Sequence, residues 1–106
     1  MKIENLDNFF RGWFVGDFEP TLYKTTDVEV AVQYYKKGTV QSSHLHKIAT
    51  EITVVILGKV KINNVIYKEK DIILIEPNEV SSFEALEDTT TLVVKIPSSK
   101  NDKYEI

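Results

Sequence analysis

The chain has 106 residues, 13 lysines and arginines against 16 aspartates and glutamates, a net charge of −3 and no cysteine. That length suits one domain with a single modest core, and 42% hydrophobic with 27% charged residues describes an ordered globule rather than a disordered tail. The acidic balance excludes the clustered Lys and Arg that nucleic-acid phosphates demand. No stretch approaches the roughly 20 apolar residues of a membrane span. Without cysteine there is no disulfide framework, thiolate nucleophile or thiolate metal site.

The beginning, Met1-Lys2-Ile3-Glu4, leads into polar and acidic residues instead of an apolar secretory run, so a cytoplasmic protein is expected. Asn5 to Phe14 reads as one short helical or irregular segment, capped by Asn5 or Asp7 and ended by Gly12. Its aromatics, with Trp13, Phe14 and Phe18, would plug one end of the domain or form a dimer contact. Val28, Val30, Val32 and Tyr34 then alternate with Glu29, Ala31 and Gln33, which predicts a strand. A further strand is predicted over Glu51 to Leu57. Lys59-Val60-Lys61-Ile62 alternates strictly, Asn63-Asn64 suits a tight hairpin turn at positive φ, and Val65-Ile66-Tyr67 is the return strand. Ile72 to Ile75 is a short apolar strand ending at the turn signal Glu76-Pro77-Asn78-Glu79. Thr89 to Ile96 is the last strong strand, closed by Pro97, and Ser98 to Ile106 reads as a loose polar tail.

Twelve valines, eleven isoleucines and nine threonines favour pleated strands. Short strands at this spacing, with no repeat and no linker, predict a single all-β domain over residues 1–106. It should be an antiparallel sandwich or barrel with core strands between about residues 20 and 97.

Chemistry concentrates in one place. The only two histidines of the chain fall in Gly38-x5-His44-x-His46-x4-Glu51-x6-Gly58. Residues i and i+2 of a strand share a face, so His44 and His46 point the same way, and an antiparallel return brings Glu51 back beside them. Two imidazoles and a carboxylate form a ligand set for borderline divalent metals such as iron, manganese, nickel or zinc. The two glycines sit where turns or close backbone approach are expected.

This spacing resembles the first signature motif of the cupin superfamily. A degenerate second motif follows. Pro77 keeps its place, but Lys70 and Glu79 stand where glycines are usual, and Ser82 stands where a fourth ligand, a histidine, is expected. The resemblance implies a jelly-roll β-barrel with one divalent metal inside, held by His44, His46 and Glu51. Ser82 would then be a pocket residue, with Glu84 on the same strand face. Gln41 and Ser43, flanking the histidines, are candidates for orienting them, and Tyr34 and Tyr35 are candidates for the cavity lining.

Three protein ligands with open positions match catalytic rather than closed structural metal sites. The reading favoured here is a metal-dependent enzyme of dioxygenase, isomerase or lyase type, acting on a small polar or carboxylate-bearing molecule. The alternative is a non-catalytic binding or sensor module with a three-ligand metal site, since no convincing general base accompanies the motif. Neither reading involves nucleic acid or membrane. A homodimer is expected, because Ile52, Val54 and Ile56 alternate away from Glu51, Thr53 and Val55 and leave an apolar outer face.

Overall fold

The computed structural model describes residues 1–106. The N-terminal segment holds two single turns of 3₁₀ helix, Leu6–Asn8 and Phe10–Gly12, instead of one helix. Asn5 caps the first, its Oδ1 accepting the Asp7 N–H at 2.9 Å. Extended Phe9 and left-handed Arg11 (φ 51°) interrupt any longer helix. Asp7 and Asn8 compete for backbone hydrogen bonds, and the following aromatics lose side-chain freedom in a helix, so propensity does not oppose the break.

Ten strands follow: β1 (Trp13–Val15), β2 (Glu29–Tyr35), β3 (Val40–His46), β4 (Thr50–Leu57), β5 (Lys59–Ile62), β6 (Val65–Lys68), β7 (Ile72–Ile75), β8 (Ser81–Ala85), β9 (Thr89–Ile96) and β10 (Lys103–Glu105). They form two five-stranded sheets, in the orders β1-β2-β9-β4-β7 and β10-β3-β8-β5-β6, with every strand pair antiparallel. The β5–β6 hairpin turns on Asn63 and Asn64, both left-handed at φ 50° and 66°, as their short polar side chains tolerate. Strands therefore extend from Trp13 to Glu105, beyond the expected 20–97 at both ends.

The tail departs most from expectation. Far from loose, it returns as β10 and pairs with β3 in the register Lys103↔His46, Tyr104↔Leu45 and Glu105↔His44. Asp102, only 6% exposed, accepts backbone N–H groups from Lys47 at 2.9 Å, Ile48 at 3.0 Å and Ala49 at 2.9 Å. A short polar stretch is thus ordered by sheet pairing and by one buried carboxylate, which composition does not reveal.

The first sheet has two opposite faces. Inside lie Glu29, Ala31, Gln33 and Tyr35 of β2, Thr91, Val93 and Lys95 of β9, and Glu51, Thr53 and Val55 of β4, in cross-strand rows such as Glu29–Lys95–Glu51. Outside, Val30–Val94–Ile52–Leu74 and Val32–Leu92–Val54–Ile72 form two apolar rows across four strands. Tyr34 belongs to this outer face and is 69% exposed. Its candidacy for the cavity passes to Tyr35. Alternation separates the faces but does not say which is inner, and here β2 turns its more polar face inward.

The dry core is small and lies towards one end. Val55, Val60 and Ile62 are buried there, with Tyr67, Ile73 and Phe83 packed against them. Beyond Ile62 and Phe83 the barrel interior becomes polar, and β3 delivers both histidines into it.

Candidate metal and ligand site

His44 and His46 lie at the inward end of β3, 8% and 7% exposed, with ring centroids 5.4 Å apart and the rings edge to face. His44 Nδ1 is 3.0 Å from the Ser42 carbonyl oxygen. That oxygen can only accept, so Nδ1 carries the proton and Nε2 is the ring atom left to meet a ligand. The orienting acceptor is a backbone carbonyl, not the side chain of Gln41 or Ser43. Such acceptors commonly fix the tautomer of a ligating imidazole.

His46 Nε2 is buried without a hydrogen-bond partner. Burial, reinforced by the charges of Lys95, His44 and Lys103 and opposed by Asp102, pushes its pKa down to about 4. The ring is therefore neutral at pH 7, with an unused polar atom. The only other buried side-chain polar atom lacking a partner is Thr91 Oγ1, and both residues line the same cavity of about 210 Å³. Two orphaned polar atoms facing one polar cavity mark a place where a ligand or ion completes the bonding.

Glu51 lines this cavity as well, its Oε2 accepting from Thr53 Oγ1 at 3.3 Å. The structure brings the three expected ligands into one cavity. It does not draw three imidazole or carboxylate groups together closely enough to hold an ion as they stand. The histidine pair fits a metal by donor type, burial and tautomer, whereas Glu51 is engaged by Thr53.

The residue opposite His44 on β8 is Ser81, 7% exposed, because a bulge between Gln41 and His44 shifts the register. Ser82 also lines the cavity, but its N–H donates to Asn63 Oδ1 at 3.0 Å and its hydroxyl is 3.5 Å from the same oxygen. Glu84 points elsewhere, with Oε1 3.7 Å from Lys61 Nζ and no place in the cavity lining. β8 presents Ser81 and Phe83 inward, so the alternation places Glu84 outside. Gln41 does line the cavity beside Tyr35, whose hydroxyl donates to Gln33. Burial raises the Tyr35 pKa, with Glu51 adding to that effect and Gln41 and Arg11 opposing it.

Two facing sheets that enclose a polar cavity with two inward histidines can be compared with known barrels. No family model and no curated protein sequence matches the chain. Solved structures do. A protein with a double-stranded β-helix domain from Klebsiella pneumoniae has a TM-score of 0.68 at 21% identity, over 92% of this chain and 86% of that one. A cupin-2 domain protein from Shewanella frigidimarina has a TM-score of 0.60 at 14% identity, over 68% and 72%. The fold is a cupin barrel.

A larger enzyme has the same cupin barrel as one of its parts. Oxalate decarboxylase from Bacillus subtilis, described with Mn(II) centres, gives a TM-score of 0.67 at 19% identity over 77% of this chain, which spans 25% of that protein's length. Within the cupin barrel, sequence reasoning passed over two residues. Lys95 stands alone as the charge of β9, a signal present in the sequence. Asp102 carries no local signal, because its role depends on where the tail returns.

Proposed function

We propose that this chain is a metal-binding cupin whose barrel binds one divalent metal together with a small polar or carboxylate-bearing molecule, and that it acts on that molecule as an enzyme. The observation that carries the reading is the histidine pair. His46 Nε2 is buried and unpartnered next to His44, whose Nδ1 is taken by Ser42, and both line the cavity that contains Glu51. His44 and His46 would hold the metal, and Glu51 would join them on leaving Thr53. When bound, such a metal supplies Lewis acidity that polarises a substrate oxygen.

The chain's own residues supply the rest. Gln33, Gln41 and Tyr35 line the same cavity, so hydroxyl and amide groups orient a polar ligand beside the histidines. A volume of about 210 Å³ suits a small metabolite rather than a polymer. The Mn(II) centres described for the larger barrel enzyme support a transition metal, and dioxygenase, isomerase or lyase chemistry remains the class favoured. The two apolar rows on the outer sheet support a homodimer. The lack of cysteine suits the reducing cytoplasm, and no helix is long and apolar enough to cross a membrane.

Metal analysis of protein purified without chelator tests the proposal. Stoichiometric iron, manganese, nickel or zinc is expected, lost in His44→Ala and reduced in Glu51→Ala. Metal content unaffected by His44→Ala would overturn it. Oxygen uptake or product formation with small acids then separates the enzyme from a binding module.

A further inference from the structure

The inner cavity adjoins an outer cleft of about 510 Å³, and four residues line both: Trp13, His46, Lys95 and Lys103. These four throat side chains stand between the outer cleft and the histidine pair. Two of the four are lysines in a chain of net charge −3. Lys95 is the inward residue near the end of β9, and Lys103 lies directly across from inward-facing His46.

Lys95 is unusual in its pairing. Its cross-strand neighbours on the inner face are Glu29 and Glu51, yet the chain's four ion pairs do not include it. Its ammonium instead lies 4.9 Å from the centroid of Trp13, held by the ring's negative face. Lys103 likewise has no ion-pair partner. Three of the carboxylates near the throat already have partners. Asp102 accepts three backbone N–H groups, Glu51 accepts from Thr53, and Glu19 of the outer cleft pairs with Lys24. Burial also raises the pKa of Glu29, although Lys95 opposes the shift.

We infer that this throat is an anion-selecting site, in which the Lys95 ammonium, seated on Trp13 and assisted by Lys103, binds the carboxylate of a small organic acid. The inference rests on the reading of the barrel as a small-molecule site and assigns its substrate class. A charge-assisted bond to an ammonium on a partly desolvated aromatic platform favours a carboxylate over a neutral amide of equal size. The carboxylate would be held at the throat with the rest of the molecule directed towards His44 and His46.

The test uses chelator-treated, metal-free protein, so that its outcome is independent of the metal proposal. Trp13 is the only tryptophan and touches Lys95, so its emission reports on the throat. Pyruvate and oxalate are titrated against sodium chloride at matched ionic strength, with oxamide as the neutral control. The same titrations are followed by calorimetry. A saturable response to the acids alone is expected, weakened about tenfold or more in Lys95→Met, less in Lys103→Met, and largely restored in Lys95→Arg. No saturable binding of either acid by either method, equal binding of oxamide, or acid binding unchanged in Lys95→Met would overturn the inference. Failure here would leave the metal analysis of His44→Ala standing as a separate result.

Discussion

The Asp102 carboxylate, from the returning tail, accepts the Ala49 backbone N–H at 2.9 Å, fifty-three positions away in the chain. The same carboxylate takes the N–H groups of Lys47 and Ile48, so it holds the whole turn between His46 and Glu51. Burial alone would raise its pKa, but the three donors together, with His46 nearby, hold it below the ordinary value. Asp102→Ala should leave three donors without their acceptor in a buried place, at a cost of about 2–4 kcal/mol. Asp102→Asn should cost less, because one carbonyl oxygen remains. Urea unfolding midpoints measure both. A loss under about 0.5 kcal/mol in Asp102→Ala would mean the turn holds its shape unaided.

His46 sets the acid limit of the metal-free protein. Its pKa is about 4 in the fold and about 6.5 in an unfolded chain, so between those values the unfolded state binds a proton that the folded state refuses. Stability from the neutral ring is complete above about pH 6.5 and is lost as pH falls towards 4. Linkage at 1.36 kcal/mol per pH unit sets the loss at about 3 kcal/mol. Asp102, with its lowered pKa, adds a further loss below its ordinary value of 3.8. Thermal melts of chelator-treated protein should show the first decline in the wild type and little of it in His46→Gln. Parallel pH curves for the two proteins would contradict the assignment to His46.

The strands were legible because β-branched and apolar runs end at turn residues: Ile72 to Ile75 and Thr89 to Ile96 form strands at the bounds that the sequence predicts. The histidine motif was legible because i, i+2 spacing fixes a common face, and both rings are indeed buried in the barrel. What stayed hidden depends on three-dimensional register. The bulge in β3 replaces Ser82 by Ser81 opposite His44, and no residue there announces it. Tyr34 and Tyr35 have opposite fates, since period two cannot say which side of β2 is inside. Asp102 and Lys103 lie in a stretch with no apolar pattern, yet they complete the sheet beside the histidines. Glu84 was misplaced for a related reason, as the strand face that carries it pairs with Lys61 outside.

The two glycines that bracket the histidine motif answer a substitution differently. Gly38 and Gly58 both have left-handed φ, 92° and 98°. A Cβ at Gly38 would meet nothing within 4 Å, whereas at Gly58 it would lie 2.5 Å from the Asp88 carbonyl oxygen and 2.8 Å from Thr89 Cα. Gly38→Ala should therefore cost only the conformational strain, about 1–2 kcal/mol. Gly58→Ala should cost at least about 3 kcal/mol, because the backbone of the β8–β9 turn must move as well. Equal denaturation midpoints for the two variants would show that this close approach relaxes freely.

Leu92 and Val54 face each other at the centre of the outer sheet, flanked by Val32 on one side and by Ile72, 67% exposed, on the other. The neighbouring row Val30–Val94–Ile52–Leu74 ends in Leu74, 54% exposed, and Ile56 and Ile96 extend the same surface. Contiguous exposed apolar faces often mark interaction surfaces. A second copy laid face to face would bury both rows against identical rows by a two-fold axis. Light scattering should accordingly give twice the 12.2 kDa chain mass at micromolar concentration. Leu92→Glu places a charge at the centre of that face, where burying it unpaired is costly, and should return the protein to single-chain mass with its strand content intact. A wild-type mass of 12.2 kDa under the same conditions would show that the face is left open to solvent.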